Sequence, residues 1–193
     1  MPTVFSHPAA VAGLAVALGG RVIPFRLFLF GVFCTVLPDM DVISFKLGIK
    51  YADVLGHRGF SHSLLFAFIS GLVGVGLAPL LRCSRHIAFY VGVFAVAGHI
   101  LLDAMTNGGL GVAAFWPFDQ TRYFCDWRPI QVSPLSPRIF LSRRGLNVLL
   151  SELRWVWLPC AALGLSVRLY RTLRAHPKAR RELPQVSRTR NEV

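Results

Sequence analysis

The sequence predicts an all-α, polytopic membrane bundle of about five hydrophobic helices, with a long aromatic and proline-rich connection before the last helix. The chain of 193 residues is 54% hydrophobic, whereas soluble domains are usually about 45–50% apolar. Its mean hydropathy is +0.54. The apolar residues are concentrated in long runs, some of which approach the roughly 20 residues that a membrane-spanning helix needs. These runs leave no room for a second sizeable core, so we expect a single domain over residues 1–173.

The formal net charge of +12 predicts contact with membrane lipids rather than with nucleic acid. Many basic residues lie between Arg168 and Arg190 and in short loops beside the apolar runs. Such positions favour anionic lipid headgroups and act as a signal for membrane topology. The sequence lacks the interleaved aromatic and basic residues of a nucleic-acid groove.

The first two apolar runs predict a helical hairpin. Residues 7–20 are short for a span and rich in Ala and Gly, so we expect them to pack inside the bundle. Ser6 is placed to cap this helix, and Pro8 suits its first turn. Residues 24–37 form the second run, which Pro38 and the aspartates after it are expected to end.

Two clear membrane segments follow a mixed linker. Residues 43–56 contain three charged side chains and are expected to lie along the interface, with a short helix. Residues 61–81 and 87–105 are the third and fourth apolar runs, joined by a tight polar turn. Ser61 is the expected cap of the third helix.

The remainder of the chain is one long connection, one more apolar run and a tail. The connection over residues 107–147 is unusually long for a compact domain, so it is either a functional cover or an aromatic segment packed at the interface. Residues 149–173 form the fifth run. Residues 174–193 are polar, basic and broken by proline, which predicts a disordered tail.

A five-helix topology brings the polar residues of the apolar segments to one face. The start of the first run, the end of the second, the start of the third and the end of the fourth lie on the same side of the membrane. The basic tail predicts a cytoplasmic C-terminus and therefore a site facing the periplasm. The residues that share this face are His7, Asp39, Asp41, His57, Arg58, His62, His99 and Asp103.

His99 and Asp103 stand four residues apart on one helix, so both side chains can reach one ion. Ionisable groups inside an apolar run need a partner or a function, which favours metal ligation over a simple hydrogen-bonded pair. Asp39 and Asp41 offer two carboxylates whose repulsion a divalent cation would relieve. The alternative for them is a solvated helix end.

The histidine-rich segment adds further candidates. His57 and His62 are predicted ligands, because imidazole with carboxylate suits Zn, Mn or Fe. Arg58 presents a planar fork for phosphate oxygens, or else pairs with a headgroup or an internal carboxylate. His7 joins the ligand set through its place on the shared face. His86 falls on the opposite face and is excluded, as is His176 in the tail.

At these residues the sequence resembles the YdjM-like family of bacterial inner-membrane proteins, described as membrane-bound, metal-dependent hydrolases. The matching pieces are His7, Leu-Pro-Asp-Met-Asp at 37–41, Gly-His-Arg-Gly-Phe-Ser-His-Ser at 56–63, Gly-His-Ile-Leu-Leu-Asp at 98–103, Thr-Asn-Gly-Gly at 106–109 and Trp-Pro at 116–117. The resemblance implies a multi-pass protein of the bacterial inner membrane.

The family is similar in motif order to zinc-dependent phospholipase C and to related single-strand nucleases. That resemblance implies one metal held by Asp39 or Asp41, by His57 or His62, and by His99 and Asp103. It also implies that Asp103 could bridge to a second metal held by His7 as well. The further histidine and glutamate ligands of the soluble enzymes have no counterpart here, so one or two divalent ions are expected, with zinc favoured over manganese or iron.

The preferred hypothesis is hydrolysis of a lipid or lipid-linked phosphoester by metal-activated water. In it Arg58 binds the substrate anion, and one of Asp39 and Asp41 serves as general base. One alternative is a metal or proton transporter, which would place its ligands near mid-membrane. The other is a non-enzymatic membrane protein with a structural metal. The oligomeric state, the substrate and the pathway stay open.

Overall fold

A computed structural model gives the fold, and it describes residues 1–134 and 136–175, without the side chain of Pro137. The regular elements of these residues are all helices; the same residues contain no strands, only isolated bridges that pair Thr106 with Ile130 and Val112 with Tyr123. The predicted helical bundle is therefore confirmed. The helices are α1 (Ala9–Leu18), α2 (Phe25–Val36), α3 (Ile43–Lys46), α4 (Leu64–Leu81), α5 (Arg85–Ala104), α6 (Pro137–Phe140), α7 (Arg143–Glu152) and α8 (Leu158–Ala175).

Within this part of the chain, four helical stretches are long and apolar enough to cross a membrane: Phe25–Lys46, Leu64–Leu81, Arg85–Ala104 and Arg143–Ala175. Helix α1 is apolar but too short to be counted with them. This agrees with the expectation that the first run packs inside the bundle. Together with α1, these stretches give five hydrophobic segments among the described residues.

The second run does not end at Pro38 as predicted. Helix α2 instead tightens into a 3₁₀ turn over Leu37–Val42 and continues directly into α3. Pro38 cannot donate the N–H that would continue the α-helical bonds of α2, and the chain tightens into the 3₁₀ turn at this point. The tighter turn carries Asp39 into the interior, while Met40 beside it is 63% exposed.

Two pairs of helices make the closest contacts. Helices α4 and α5 form an antiparallel hairpin in which a Cβ on Gly92 would lie 2.7 Å from the carbonyl oxygen of Ser70. Helix α1 runs alongside α8, where a Cβ on Gly164 would lie 2.6 Å from the carbonyl oxygen of Gly13. Small residues let these backbones approach each other, as is common between helices in membranes.

Two predicted helix caps are wrong. Ser6 does not cap α1, since no side chain caps that helix and the Ser6 hydroxyl donates to Glu152. Ser61 does not cap α4 either: the cap is Ser63, whose oxygen accepts from the Phe66 N–H, and Ser61 donates to Asp41 instead. In both places the serine hydroxyl donates a hydrogen bond to a carboxylate distant in sequence and does not accept one from the backbone at the helix end.

The final membrane helix begins at Arg143 and not at residue 149. Helix α7 is amphipathic and continues through a π-helical turn over Leu153–Trp157 into α8. The first turns of α7 are polar, so an interpretation based on hydropathy alone did not include them in the membrane helix. The connection is therefore shorter than predicted, and α6 interrupts it. The predicted tail lies outside the described residues from residue 176 onward.

Candidate metal centre

Four of the predicted ligands meet at one point of the bundle. One ligand atom from each of Asp39, His62, His99 and Asp103 lies within 4.8 Å of the others. The Nε2 atoms of His62 and His99 are 3.0 Å apart, and His99 Nε2 lies 3.6 Å from Asp39 Oδ1. All four residues are buried, three of them completely. The end of α2, the turn before α4 and the end of α5 converge here, as the topology predicted.

His99 is held in a tautomer that suits a metal ligand. Its Nδ1 lies 2.7 Å from the backbone carbonyl oxygen of Thr35. A carbonyl can only accept, so Nδ1 carries the proton of the neutral ring and Nε2 is left with a free lone pair. That lone pair is on the cluster side. Metal-binding histidines are commonly oriented by such a second hydrogen bond.

His7 completes the cluster from the start of α1. Its Nε2 lies 3.4 Å from Asp39 Oδ2 and 3.9 Å from Asp103 Oδ1, and its ring stacks on that of His99 at 3.8 Å between centroids. The opposite oxygens, Asp39 Oδ1 and Asp103 Oδ2, lie closer to His62. Each carboxylate therefore presents one oxygen to each side, so the donors suit one ion or two bridged ions.

The residues fit a divalent cation. Both oxygens of Asp39, Oδ1 of Asp103 and both ring nitrogens of His7 are buried without a hydrogen-bond partner among the described residues. Buried polar atoms are rarely left in this way. When the imidazoles are neutral, Asp39, Asp41 and Asp103 contribute three negative charges and Arg58 contributes one positive charge. The net charge of the group is then −2. Carboxylate and imidazole donors with that charge suit a Zn, Mn or Fe ion.

Asp41 is the hydrogen-bonding hub beside the cluster. Its Oδ1 lies 2.5 Å from His57 Nδ1, and its Oδ2 accepts from the Arg58 N–H at 3.0 Å and from the Ser61 hydroxyl. The same Oδ2 lies 3.1 Å from His62 Nδ1. Asp41 thus orients the opposite nitrogen of His62 toward the cluster. Asp41, His57 and His62 also form a second group close enough to hold an ion.

Arg58 is fully buried and pairs with an internal carboxylate. Its Nε lies 2.8 Å from Asp103 Oδ2, and its remaining nitrogens donate to Thr106 Oγ1 and the Gly108 carbonyl at 3.0 Å. Its backbone is left-handed, with φ of 62°. This is the internal-partner alternative of the sequence analysis, and contact with a substrate anion stays a prediction.

The protonation states of His62 and His7 differ because their neighbours differ. Burial lowers the pKa of His62, but the neighbouring carboxylates of Asp103, Asp39 and Asp41 outweigh this effect and raise the pKa to about 10. Burial lowers the pKa of His7, and the charges of Asp103 and Asp39 only partly oppose this. Without a metal, a proton on His62 therefore offsets part of the negative charge, and ligation through that ring releases a proton.

Two residues around the centre were missed by the sequence analysis. Glu152 is 1% exposed and accepts from the Thr3 N–H, the Thr3 hydroxyl and the Ser6 hydroxyl. It ties the last membrane helix to the segment that carries His7. A carboxylate inside an apolar run was the available signal, but its partners lie about 150 residues away in sequence and no local pattern reveals them.

The second missed residue is Arg122, in the long connection. Its guanidinium donates to the carbonyl oxygens of His57, Tyr51 and Asp53 at 2.8–3.0 Å. Ala113 adds a backbone bond to the Arg58 carbonyl. The connection is thus attached to the histidine-rich segment by side-chain and backbone hydrogen bonds, and its role as a cover stays a prediction.

The comparisons agree with this architecture. The model of the family described as YdjM inner membrane protein matches residues 1–175. The inner membrane protein YbcI of Escherichia coli (strain K12) is 42% identical over 165 residues, covering 82% of this chain and 92% of that protein. The uncharacterized protein YvsG of Bacillus subtilis (strain 168) is 30% identical over 87 residues, covering 42% of this chain and 51% of YvsG. No solved structure matches. The chain therefore belongs to the YdjM family of inner membrane proteins.

Proposed function

We propose that this protein is a membrane-bound, metal-dependent hydrolase acting on a phosphoester of a lipid or lipid-linked substrate. One observation carries the proposal: Asp39, His62, His99 and Asp103 converge in a buried cluster in which neither oxygen of Asp39 accepts a hydrogen bond from the described residues. Such a group is costly inside a membrane protein unless it binds an ion. The cluster lies at one end of the helices, where a lipid headgroup is within reach.

In this proposal the chain supplies the metal ligands, the residues that orient those ligands, and a group that accepts a proton from water. Asp39, His62, His99 and Asp103 would hold a first ion, and His7 would add a donor for a second. A bound Zn²⁺ or similar ion lowers the pKa of water toward neutrality and polarises a phosphoryl oxygen.

Asp41 orients His62 and is the most accessible carboxylate of the group, with a side chain 10% exposed. Its contact with His57 makes that pair the best candidate to take a proton from an attacking water. Arg58 would hold Asp103 in place through its ion pair. Direct binding of the substrate anion by Arg58 would require the Thr106–Gly108 turn to move, because that turn now occupies two of its nitrogens.

A structural metal is the competing function, and burial favours it. Structural metal sites are closed, whereas catalytic sites keep a position open for water or substrate. Asp103 and His99 are completely buried here. A transporter is less favoured, since the ligands gather at one end of the helices instead of lining a path through them.

The test pairs metal content with turnover for the wild type and two variants. Protein purified in mild detergent without chelator is analysed by inductively coupled plasma mass spectrometry and assayed on a phosphodiester and on phospholipids. We expect about one or two equivalents of metal and chelator-sensitive hydrolysis, both lost in His99→Ala.

His86→Ala is the matched control, because it removes an exposed histidine from the opposite end of the same helix. It should retain metal and activity. Bound metal without turnover on any of these substrates would favour a structural metal over a catalytic one. Hydrolysis that persists after complete removal of the metal would contradict the metal-dependent mechanism.

A further inference from the structure

The end of the bundle opposite the metal centre has a strongly one-sided charge. It carries Arg21, Arg26, Arg82, Arg85, Arg168, Arg171 and Arg174. Every carboxylate among the described residues lies instead at the metal end or in the connection there: Asp39, Asp41, Asp53, Asp103, Asp119, Asp126 and Glu152. The arginines of this far end therefore have no acidic side chain of the described chain to pair with.

Part of this charge surrounds a cavity. A space of about 680 Å³ lies between the turn after α1 and the last turns of α8, and its walls include Arg21, Arg168 and Arg171. One nitrogen of Arg171 donates to the Ala17 carbonyl at 2.7 Å, which fixes its guanidinium at the cavity wall. Arginine presents a planar fork that matches phosphate oxygens.

The cavity continues into an apolar groove. Ala17 and Leu18 line both the basic cavity and a second space of about 280 Å³, whose other walls include Leu14, Phe94, Leu163 and Val167. The groove follows α1 and α8 from the basic end toward the middle of the bundle. Gly13 and Gly164 bring the two backbones together at its floor.

We propose that this joined space binds one anionic phospholipid, with its phosphate among the three arginines and an acyl chain in the groove. A basic pocket between membrane helices is a recognised kind of site for anionic headgroups. The walls of the groove are apolar and lie along helices proposed to be in the membrane. They can therefore hold an acyl chain, which a lipid has and a soluble anion lacks. The proposal does not rest on the proposed hydrolase function.

The experiment measures lipid binding by native mass spectrometry of the purified full-length protein. Dioleoyl phosphatidylglycerol is the anionic probe, and dioleoyl phosphatidylcholine has the same chains without net charge. We expect the Arg21→Gln/Arg168→Gln variant to bind the anionic lipid about 30-fold more weakly, because two basic residues near a membrane surface together contribute on the order of 2 kcal/mol. The side chains of Arg21 and Arg168 make no hydrogen bond among the described residues, and Arg168 bonds to Thr172 only through its backbone carbonyl, so folding should be preserved.

The matched control is Arg82→Gln/Arg85→Gln, which removes the same charge from the same end but lies outside the cavity. It should bind like the wild type. An equal loss in both variants, or no loss in either, would overturn the proposal in favour of diffuse attraction or no site.

The groove is tested separately by Leu163→Trp, which adds bulk to its wall without changing charge. We expect weaker binding of the long-chain lipid, and unchanged affinity would refute the acyl-chain position. Soluble glycerol phosphate at millimolar concentration should not displace the lipid, and displacement would identify a site for free phosphate esters instead. His99→Ala should still bind the lipid, so failure of the metal site would not be mistaken for failure here.

Discussion

At the scale of single residues, the centre separates side chains that would touch the metal from those that orient them. Asp41 is bonded to His57, Arg58, Ser61 and His62, so its lone pairs are already engaged. Asp39 has no such partners and faces the cluster. The two aspartates of one short motif therefore have different environments, although the sequence presented them as equivalent.

This difference predicts different effects of the same substitution. Asp41→Asn should weaken metal affinity by about 10–100-fold, the effect typical of removing an orienting partner of a ligand. Asp39→Asn should abolish stoichiometric binding, since it removes a donor itself. Competition with a chromophoric chelator measures both. Equal affinities in the two variants would contradict the assignment of roles.

Arg58 gives a second prediction at this scale. Removing one partner of a buried ion pair leaves the other charge uncompensated and typically costs about 3–5 kcal/mol. Arg58→Gln should therefore lower the thermal unfolding temperature of the metal-free protein, because Asp103 loses its cation. Exposed Arg143→Gln is the control, with little expected change. A variant that folds like the wild type but fails to bind substrate would support the original anion-binding interpretation instead.

At the scale of elements, Glu152 links the last helix to the N-terminal segment. Glu152→Ala should leave three donors of Thr3 and Ser6 unsatisfied, at about 1–3 kcal/mol for each buried group. Glu152→Gln should be mild, because hydroxyls can reverse their role and accept from the new amide. Unfolding temperature and metal affinity together test this, since a shifted His7 should weaken binding in the alanine variant. Equal unfolding temperatures and metal affinities in the two variants would show that the hydrogen bonds of Glu152 contribute little to stability or to metal binding.

The pairing of α1 with α8 predicts a clear contrast between two glycines. A Cβ on Gly164 would lie 2.6 Å from the Gly13 carbonyl oxygen, whereas a Cβ on Gly76 meets nothing within 4 Å. Gly164→Ala should therefore destabilise the protein by about 1–3 kcal/mol through overpacking. Gly76→Ala should be neutral or slightly stabilising, since alanine is the better helix former. Thermal unfolding in detergent distinguishes them, and a harmless Gly164→Ala would show that the helices separate easily.

Sequence reasoning located the elements well but their ends less well. Long apolar runs define α4 and α5, because a membrane helix must satisfy its own backbone within one segment. The start of the last helix at Arg143 was missed, since α7 is amphipathic and its polar face lowers local hydropathy. The 3₁₀ continuation through Pro38 was also missed. The first error comes from the low local hydropathy of α7, and the second from a helical turn that continues through a proline, a residue that usually ends helices.

At the scale of the whole molecule, the number of membrane crossings was enough to predict that the candidate ligands lie on one side. His7, Asp39, His62, His99 and Asp103 come from four separate segments, and their convergence followed from alternating crossings of the membrane. The partners of Glu152 and Arg122 could not be foreseen, because they depend on how neighbouring helices rotate and where the connection folds. Topology predicts which end a residue occupies, but not which side chain it meets there.

The asymmetric charge of the two ends predicts the orientation of the protein. Arginines without acidic partners gather at the end opposite the metal centre, and short basic segments are retained on the cytoplasmic side. The metal centre and its connection should therefore face the periplasm. In a cysteine-free background, a membrane-impermeant maleimide should label Phe118→Cys in intact spheroplasts, because Phe118 is 96% exposed in the connection. His86→Cys, at the other end, should be labelled only after permeabilisation. The reverse pattern would place the centre in the cytoplasm and restrict its substrates to the inner leaflet.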